Sequence, residues 1–190
     1  MHHSEPDQIE KSQNGDIHAF RQLVENNQAF AYAVAFRFTG DRTEAEDITQ
    51  EAFIKLWKNI KKYRPEIKLR TWLYKIIMNL CFDFLKSARH KQRLKNINID
   101  LSPPIYDEVN SEKQKDDFEM LGVIVRLSKQ LTPKQQSVFI LRDLEALSVE
   151  EVSEITGMEH GQIKSNLYYA RLKIREGLTE YYRETKSKLL

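Results

Sequence analysis

The sequence contains little of the material that breaks regular structure, with only 6 Gly and 5 Pro in 190 residues. An all-β fold needs many turns, which draw on these two residues, so such a fold is disfavoured. The single cysteine, Cys81, excludes an internal disulfide and a multi-cysteine zinc site. No apolar run approaches the roughly 20 residues of a membrane span, and no signal peptide precedes the first helical segment. We therefore expect a cytoplasmic protein without membrane contact.

An excess of charge of either sign is also missing, since the formal net charge is only +2. The charges are nevertheless segregated along the chain. The stretch from Lys86 to Lys95 contains cations and no acid, whereas the stretch from Asp143 to Glu154 contains acids and no Lys or Arg. This separation suits a protein that holds DNA on one surface and a protein partner on another. Two solvated faces would give the same pattern.

The pattern of residues 148–175 predicts two helices joined by a tight turn. Ser148 and Glu151 have the spacing of a capping box, and Gly157 can adopt the left-handed conformation that ends a helix, followed by Met158 as an apolar plug. The second helix has an apolar stripe, formed by Ile163, Leu167, Ala170 and Ile174. Its other positions are polar or basic, and they include Lys164, Ser165, Tyr168, Tyr169, Arg171, Lys173 and Arg175. This is typical of a helix-turn-helix whose second helix enters the major groove, although an ordinary helix pair stays an alternative.

The N-terminal half predicts further amphipathic helices. Residues 1–14 are polar and expected to be frayed, and Asp16 is a suitable N-cap for the first helix. A helix over about residues 43–61 has an apolar stripe and an opposite polar face that contains Asp47, Gln50, Glu51 and Ile54. The helix dipole explains acids in a first turn, but Gln50 and Glu51 lie beyond that turn. A docking surface is therefore an alternative to a solvated face.

A helix over about residues 69–88 combines aromatic and basic residues. Its inward positions are expected to be Trp72, Leu73, Ile76, Ile77, Leu80, Phe84 and Leu85. Its polar positions are Arg70, Lys75, Asn79, Asp83 and Lys86. Aromatic rings beside cations suit single-stranded nucleic acid, because bases stack on rings while cations hold phosphates. Most aromatic residues at helical spacing are simply core, and we expect that of Phe82 and Phe84.

The domain organisation follows from a break in this periodicity. Residues 96–117 contain Pro103 and Pro104 with alternating charge, which is typical of a linker. A helix over about residues 117–130 follows, and Thr132, Pro133 and Gln135 then give a strong helix start. We therefore predict an all-α fold with two small helical domains, residues 14–95 and 118–182, joined by a flexible linker. The second domain contains the helix-turn-helix.

Four segments, in this order and spacing, carry a family resemblance. They are EAEDITQEAFIKLW, LRTWLYKIIMNLCFDFL, LTPKQQSVFILRDLEALSVEEVSEITG and IKSNLYYARLKIRE. Together they resemble bacterial RNA polymerase sigma factors of the extracytoplasmic-function (ECF) group, over about residues 16–178. The first two segments are the most specific part, because many regulators share a helix-turn-helix.

The resemblance implies a binding subunit that directs promoter-specific transcription, for a stress or envelope-signal regulon, with no catalytic site, cofactor or metal. The implied partners are promoter DNA and core RNA polymerase, which would be bound through its beta-prime clamp helices and beta flap. The resemblance leaves an anti-sigma factor open as a further partner. The residues that would dock on the clamp helices are Asp47, Gln50 and Glu51. Those that would melt the minus-ten element and capture a flipped base are Arg70, Trp72, Lys75 and Asn79. Those that would read the minus-thirty-five element are Lys164, Ser165 and Tyr168, with Arg171 and Lys173 on phosphates.

Three residues depart from the family pattern. Glu159 stands where a Ser or Thr usually caps the recognition helix, and Asn166 and Tyr169 stand where Arg is frequent. The phosphate grip is therefore expected to be weaker than in typical members.

Two other functions are open at this point. A stand-alone regulator would place a helical ligand or dimerisation domain before the helix-turn-helix, and it would need a dimer to cover paired half-sites. A hydrolase using Glu44, Glu46, Asp47 and Glu51 would need a basic or metal partner in a pocket. The histidines His18, His90 and His160 are scattered without metal-like spacing, which disfavours that enzyme.

Overall fold

The computed structural model of the protein describes residues 4–87 and 112–188. Within these ranges the chain consists of helices and their connections, without a strand. It divides into two compact units, Met1–Lys95 and Asn96–Leu190. The predicted all-α class with two helical domains is thus confirmed. Most of the predicted linker, and the basic segment from residue 88 to residue 95, lie outside the described residues.

The first unit is built from four helices and one short turn of 3₁₀ helix. These are α1 (Glu5–Gln13), α2 (Ile17–Thr39), α3 (Arg42–Asn59), the 3₁₀ turn (Ile60–Lys62) and α4 (Leu69–Lys86). Helix α2 packs against each of the other three α-helices. The largest fully buried side chains of this unit are Leu23, Val34, Phe38, Leu56, Leu69, Leu73, Ile77 and Met78. Burying such apolar surface is the main favourable term in folding.

The helix ends of this unit are fixed by local hydrogen bonds. The Asp16 carboxylate accepts from the backbone N–H groups of His18 at 2.8 Å and Ala19 at 3.1 Å, which confirms the predicted N-cap and holds the pKa of Asp16 below its usual range. Asp41 caps α3 in the same way, accepting from Glu44 N–H at 3.0 Å. Gly40 ends α2 with φ of 55°, in the left-handed region that favours glycine.

The prediction that residues 1–14 are frayed is wrong for residues 5–13. Residues 5–13 form α1, with Pro6 in its first turn, where the missing N–H is tolerated. Gln8, Ile9 and Ser12 are buried, because α1 packs along α2. Only one of these three side chains is apolar, so hydrophobic periodicity could not reveal the buried face.

The buried face of α4 differs from the expected one. Leu73 and Ile77 are buried as predicted, but Trp72 and Ile76 are only half-buried. The other partly exposed apolar positions of α4 are Leu80, Phe82, Phe84 and Leu85. Cys81 is fully buried, as expected of a small core residue, and burial raises the pKa of its thiol. The core stripe therefore runs along one narrow face, which leaves Trp72 at the edge of the core.

The second unit is built from four α-helices and one turn of π-helix. These are α5 (Glu112–Ser128), α6 (Pro133–Phe139), the π turn (Ile140–Leu144), α7 (Val149–Thr156) and α8 (His160–Lys188). Helix α5 begins at Glu112 rather than near Asp117, and α8 continues beyond the expected end near Tyr182. Both predicted capping boxes are present, Thr132 with Gln135 and Ser148 with Glu151.

Helix α8 packs against the three other α-helices of its unit. Near its start it packs on α7, and further along it packs on α6 and α5. At Gly177 the contact with α5 is so close that a Cβ atom would lie 2.5 Å from Cδ2 of Leu127. The guanidinium of Arg126 lies over the ring of Tyr181 at 5.7 Å. These contacts fix the orientation of α8 within its unit.

Candidate nucleic-acid interface

The second unit presents one exposed face of α8, in the geometry predicted for a helix-turn-helix. Helix α7 ends at Gly157, which has φ of 70°, and Met158 plugs the turn at 8% exposure. Ile163, Ala170 and Ile174 of α8 are buried, and Leu167 is half-buried. The three residues expected to read bases, Lys164, Ser165 and Tyr168, are all exposed.

Arg171 is held in an ion pair that the sequence did not indicate. Its Nε donates to Oδ2 of Asp143 at 2.8 Å and its Nη2 donates to Oδ1 at 2.6 Å, a bidentate arrangement. The Arg171 side chain is 59% exposed and that of Asp143 is 21% exposed. The hydrogen bonds to Asp143 raise the pKa of Arg171. The ion pair joins the π turn after α6 to the middle of α8. The negative charge of Asp143 also offsets the positive charge with which Arg171 would attract a DNA phosphate. Lys173 is exposed.

The positions that depart from the family pattern have defined roles in the structure. The backbone N–H of Glu159 donates to Oε1 of Gln162 at 3.2 Å, so the side chain of Gln162 supplies part of the cap at the start of α8. Asn166 Nδ2 donates to the carbonyl of Gln162 at 2.8 Å. Tyr169 is 53% exposed and lies edge-on to Tyr168, with ring centroids 5.4 Å apart.

The first unit contains an open pocket of about 400 Å³ between α3, the 3₁₀ turn, the following loop and α4. It is lined by Lys55, Asn59, Lys62, Tyr63, Arg64, Ile67, Trp72, Ile76 and Asn79. The rings of Tyr63 and Trp72 pack with centroids 5.4 Å apart at an interplanar angle of 35°. The lining therefore combines aromatic surface, two amides and three cations, without a carboxylate.

The loop side of the pocket is held by hydrogen bonds. Tyr63 Oη donates to the carbonyl of Ile67 at 2.6 Å. Partial burial raises the pKa of Tyr63, and the nearby Glu5 and Glu66 add to this effect, so the phenol is protonated at neutral pH. On the α3 side, Asn59 Nδ2 donates to the carbonyl of Lys55 at 2.9 Å. That bond leaves Asn59 Oδ1 as an acceptor at the pocket wall.

The pocket brings together two of the four residues expected to melt DNA. Trp72 and Asn79 both line it, because seven residues are almost two full helical turns. Arg70 lies on the other side of α4, with its guanidinium 4.9 Å from the centroid of the Phe30 ring. Lys75 is exposed outside the lining.

The other lining residues were not identified from the sequence as site residues. Most of them lie in or next to the break between α3 and α4, where Lys62, Tyr63 and Arg64 precede Pro65. An aromatic residue flanked by cations, beside a helix that carries Trp72, is a usable signal for such a wall. Lys55 and Asn59 had no comparable signal, because they are ordinary polar residues of a helix.

The predicted docking residues share one face of α3. Asp47 and Gln50 are exposed and Glu51 is half-buried. Ile54, on the same face, is 45% exposed, whereas Ala52 and Leu56 on the opposite face are fully buried. A single exposed apolar side chain is ordinary on a protein surface, so the docking role of this face stays a prediction.

Metal sites and membrane spans are both missing from residues 4–87 and 112–188. No group of His, Cys, Asp or Glu in these ranges could hold a metal ion. None of the helices described is long and apolar enough to cross a membrane.

Sequence models of two protein families match the chain. Sigma-70 region 2 matches residues 23–91, and Sigma-70 region 4 matches residues 121–174. One match falls in each compact unit, and together they make up more than half of the chain.

Two relatives agree with these matches. The ECF RNA polymerase sigma factor SigE of Mycolicibacterium smegmatis is 30% identical over 169 residues, which cover 86% of this chain and 63% of the relative. The ECF RNA polymerase sigma factor SigW of Bacillus subtilis is 28% identical over 179 residues, which cover 90% of this chain and 95% of the relative. This chain thus spans somewhat less than two thirds of SigE but nearly all of SigW.

Two solved structures have the same fold. The sigma factor RpoE from Bartonella quintana, in complex with the anti-sigma factor NepR, has a TM-score of 0.66 and 23% identity over 86% of this chain and 98% of that one. CnrH, in complex with the cytosolic domain of CnrY, has a TM-score of 0.65 and 18% identity over 91% of this chain and 96% of that one. The two family matches, with the two relatives, show that the chain belongs to the sigma-70 family, in the ECF group of RNA polymerase sigma factors.

Proposed function

We propose that this chain binds core RNA polymerase in the cytoplasm and directs promoter-specific transcription initiation, for a stress or envelope-signal regulon. The observation that carries the proposal is the open pocket in which Trp72 and Asn79 meet three cations. Such a lining suits an unpaired base of promoter DNA. The proposal assigns the chain no catalytic step, and an anti-sigma factor is a further proposed partner.

The pocket supports capture of a flipped base from the minus-ten element. Extruding a base costs a few kcal/mol of stacking and pairing, which the pocket must return. Trp72 offers a ring for stacking, and Asn79 offers both a donor and an acceptor for a base edge. Lys55, Lys62 and Arg64 line the same pocket and can hold the flanking phosphates. In this proposal Arg70 and Lys75 meet the DNA backbone outside the pocket.

The exposed face of α8 supports recognition of the minus-thirty-five element. Lys164 can donate to guanine acceptors, Ser165 can serve a donor or an acceptor edge, and Tyr168 can pack on a thymine methyl or bond a phosphate. Lys173 is placed to hold a phosphate. In this proposal Arg171 contributes to the same phosphate contact. Its main role is to position α8 through the ion pair with Asp143.

The direct test is transcription by core RNA polymerase with and without the chain, on a library of promoter fragments. Transcripts that begin at a shared upstream sequence only when the chain is present are the expected result. Gel filtration separates the alternative, because a stand-alone regulator would form a dimer and would not comigrate with core polymerase. Failure to comigrate would contradict the proposal.

Lys164→Ala is expected to change the base preference within the minus-thirty-five element. The cost on the preferred sequence should be roughly 1–3 kcal/mol, because a base-specific donor is lost. Binding to a panel of single-base promoter variants measures this change. A uniform loss with unchanged preferences would make Lys164 a phosphate contact instead. Lys173→Ala serves as the comparison and should lower the salt slope of binding by about one unit on all sequences.

Arg171→Gln alone is expected to weaken binding to all promoter sequences, because it leaves the Asp143 carboxylate uncompensated beside the DNA-facing helix. If the ion pair is its first role, the double variant Arg171→Gln, Asp143→Asn should regain most of the lost affinity. A direct phosphate contact predicts no such recovery. A double-mutant cycle on promoter binding over a salt series distinguishes the two.

A further inference from the structure

We propose that Gln13, the last residue of α1, is a positioning residue that fixes the loop wall of the pocket. Gln13 Nε2 donates to the carbonyl of Ile60 at 3.0 Å and to the carbonyl of Tyr63 at 3.0 Å. Helix α1 lies outside the Sigma-70 region 2 match, which begins at residue 23. The inference rests on the proposed role of the pocket. It assigns the support of the pocket wall to a helix outside the matched region.

The two carbonyls that Gln13 holds belong to the turn that carries the pocket's aromatic wall. Ile60 begins the 3₁₀ turn and Tyr63 is the C-cap residue that follows it, with Tyr63 N–H donating to the carbonyl of Ile60 at 3.0 Å. A carbonyl oxygen has two lone pairs, so that of Ile60 accepts from both Tyr63 N–H and Gln13, while the carbonyl of Tyr63 lies beyond the last helical residue. A side-chain amide has two N–H donors, so Gln13 can bond both carbonyls at once and fix their separation.

Fixing this turn also fixes the surface on which a base would stack. The Tyr63 ring packs against Trp72, and its hydroxyl donates to the carbonyl of Ile67 at the far end of the loop. Tyr63 is therefore held at its backbone by Gln13, at its ring by Trp72 and at its hydroxyl by the loop. Loss of the bonds from Gln13 would remove the support of the Tyr63 backbone, so we expect the Tyr63 ring to shift relative to Trp72.

Helix α1 is anchored firmly enough to act as a support. Ile9 and Ser12 are buried against the rest of the unit. Gln8 Nε2 donates to Oε1 of Gln22 on α2 at 3.4 Å, and Asn26 Nδ2 donates to Oε1 of Gln8 at 3.4 Å. Two glutamines of the same helix thus bond different neighbours, since Gln8 is bonded to α2 and Gln13 to the pocket turn.

The matched pair Gln13→Met and Gln8→Met separates the positioning of the pocket from the stability of α1. Both changes keep the length of the side chain and remove its amide group. A Trp57→Phe background leaves Trp72 as the single tryptophan, because the chain has two. We expect Gln13→Met to shift the Trp72 emission. It should lower open-complex formation on duplex promoters by about fivefold to tenfold, the lower end of the loss expected for two neutral hydrogen bonds. A template mismatched across the melted segment should be nearly unaffected. Gln8→Met weakens the anchoring of α1 on α2 but keeps the bonds from Gln13 to the turn, so its effect on both pocket readouts should be smaller than that of Gln13→Met at a comparable loss of thermal melting temperature.

The outcomes are distinguishable when Asn79→Ala is measured in parallel with full-length chain and core polymerase. If Asn79→Ala impairs duplex melting but Gln13→Met leaves the Trp72 emission and melting unchanged, the positioning role is overturned and the pocket proposal stands. Equal losses for Gln13→Met and Gln8→Met, in proportion to their thermal melting temperatures, would also overturn it. If Asn79→Ala melts duplex promoters normally, the pocket proposal fails and the positioning role fails with it.

Discussion

A triple variant with Asp47→Ala, Gln50→Ala and Glu51→Ala is expected to bind core RNA polymerase about a hundredfold less tightly, because removing one partner of a buried interfacial charge pair costs about 2–5 kcal/mol. The three side chains share the outer face of α3, together with Ile54 at 45% exposure. The core side of the helix is untouched, since Ala52 and Leu56 supply it. Competition for core polymerase against the labelled parent chain measures the effect.

A second triple variant controls for the loss of surface charge. Glu10→Ala, Glu25→Ala and Gln28→Ala remove two acids and one amide from exposed positions of α1 and α2. Glu25 pairs with Arg21 at 2.9 Å, but both side chains are more than half exposed, so losing that pair should matter little. Both triple variants should retain the helical circular dichroism of the parent. If the α3 variant competes as well as the control, α3 docks elsewhere or not at all.

Local signals in the sequence were sufficient to predict the helix-turn-helix. Capping boxes act over three residues, and both predicted boxes form as expected, at Thr132 and at Ser148. The left-handed turn at Gly157 needs only a residue without a side chain. The apolar stripe of α8 follows from its period of 3.6 residues, which places Ile163 and Ala170 against the core.

Features that depend on distant parts of the chain could not be predicted in the same way. Arg171 pairs with Asp143, 28 residues earlier, and no local pattern specifies that contact. Gln13 bonds carbonyls 47 and 50 residues later. Helix α1 was missed because its buried face is largely polar. In each case a polar side chain finds its partner only after the helices have packed.

The position of Trp72 shows that helical periodicity alone does not distinguish a core residue from one at the edge of a pocket. Helical periodicity placed Trp72 among the inward positions of α4, whereas the family resemblance assigned it to the surface that melts DNA. Its ring is half-buried at the pocket wall against Tyr63, since Leu69, Leu73 and Ile77 already fill the core face of α4. The Pro65 break between α3 and α4 leaves that side of α4 open to solvent.

The double variant Trp72→Leu, Asn79→Ala is expected to reduce open-complex formation on duplex promoters by about a hundredfold or more. Stacking on an aromatic ring is worth about 1–3 kcal/mol per base, and a bidentate base-edge contact is worth a similar amount. Asn79→Ala alone should give roughly a tenfold loss. Leucine at position 72 keeps apolar volume at the edge of the core, so the thermal melting temperature should change little compared with the loss of promoter melting.

The template and a comparison variant decide whether these two residues act on the flipped base. On a template already mismatched across the melted segment, the cost of extruding a base is largely removed, so the double variant should recover most of its activity. Lys75→Ala, on the same helix but outside the pocket lining, should instead weaken both templates about equally, because a phosphate contact is needed in either state. Base capture would be contradicted if the double variant lost as much activity on the mismatched template as on the duplex. That result would leave Trp72 and Asn79 as contacts to single-stranded DNA already melted by other parts of the complex.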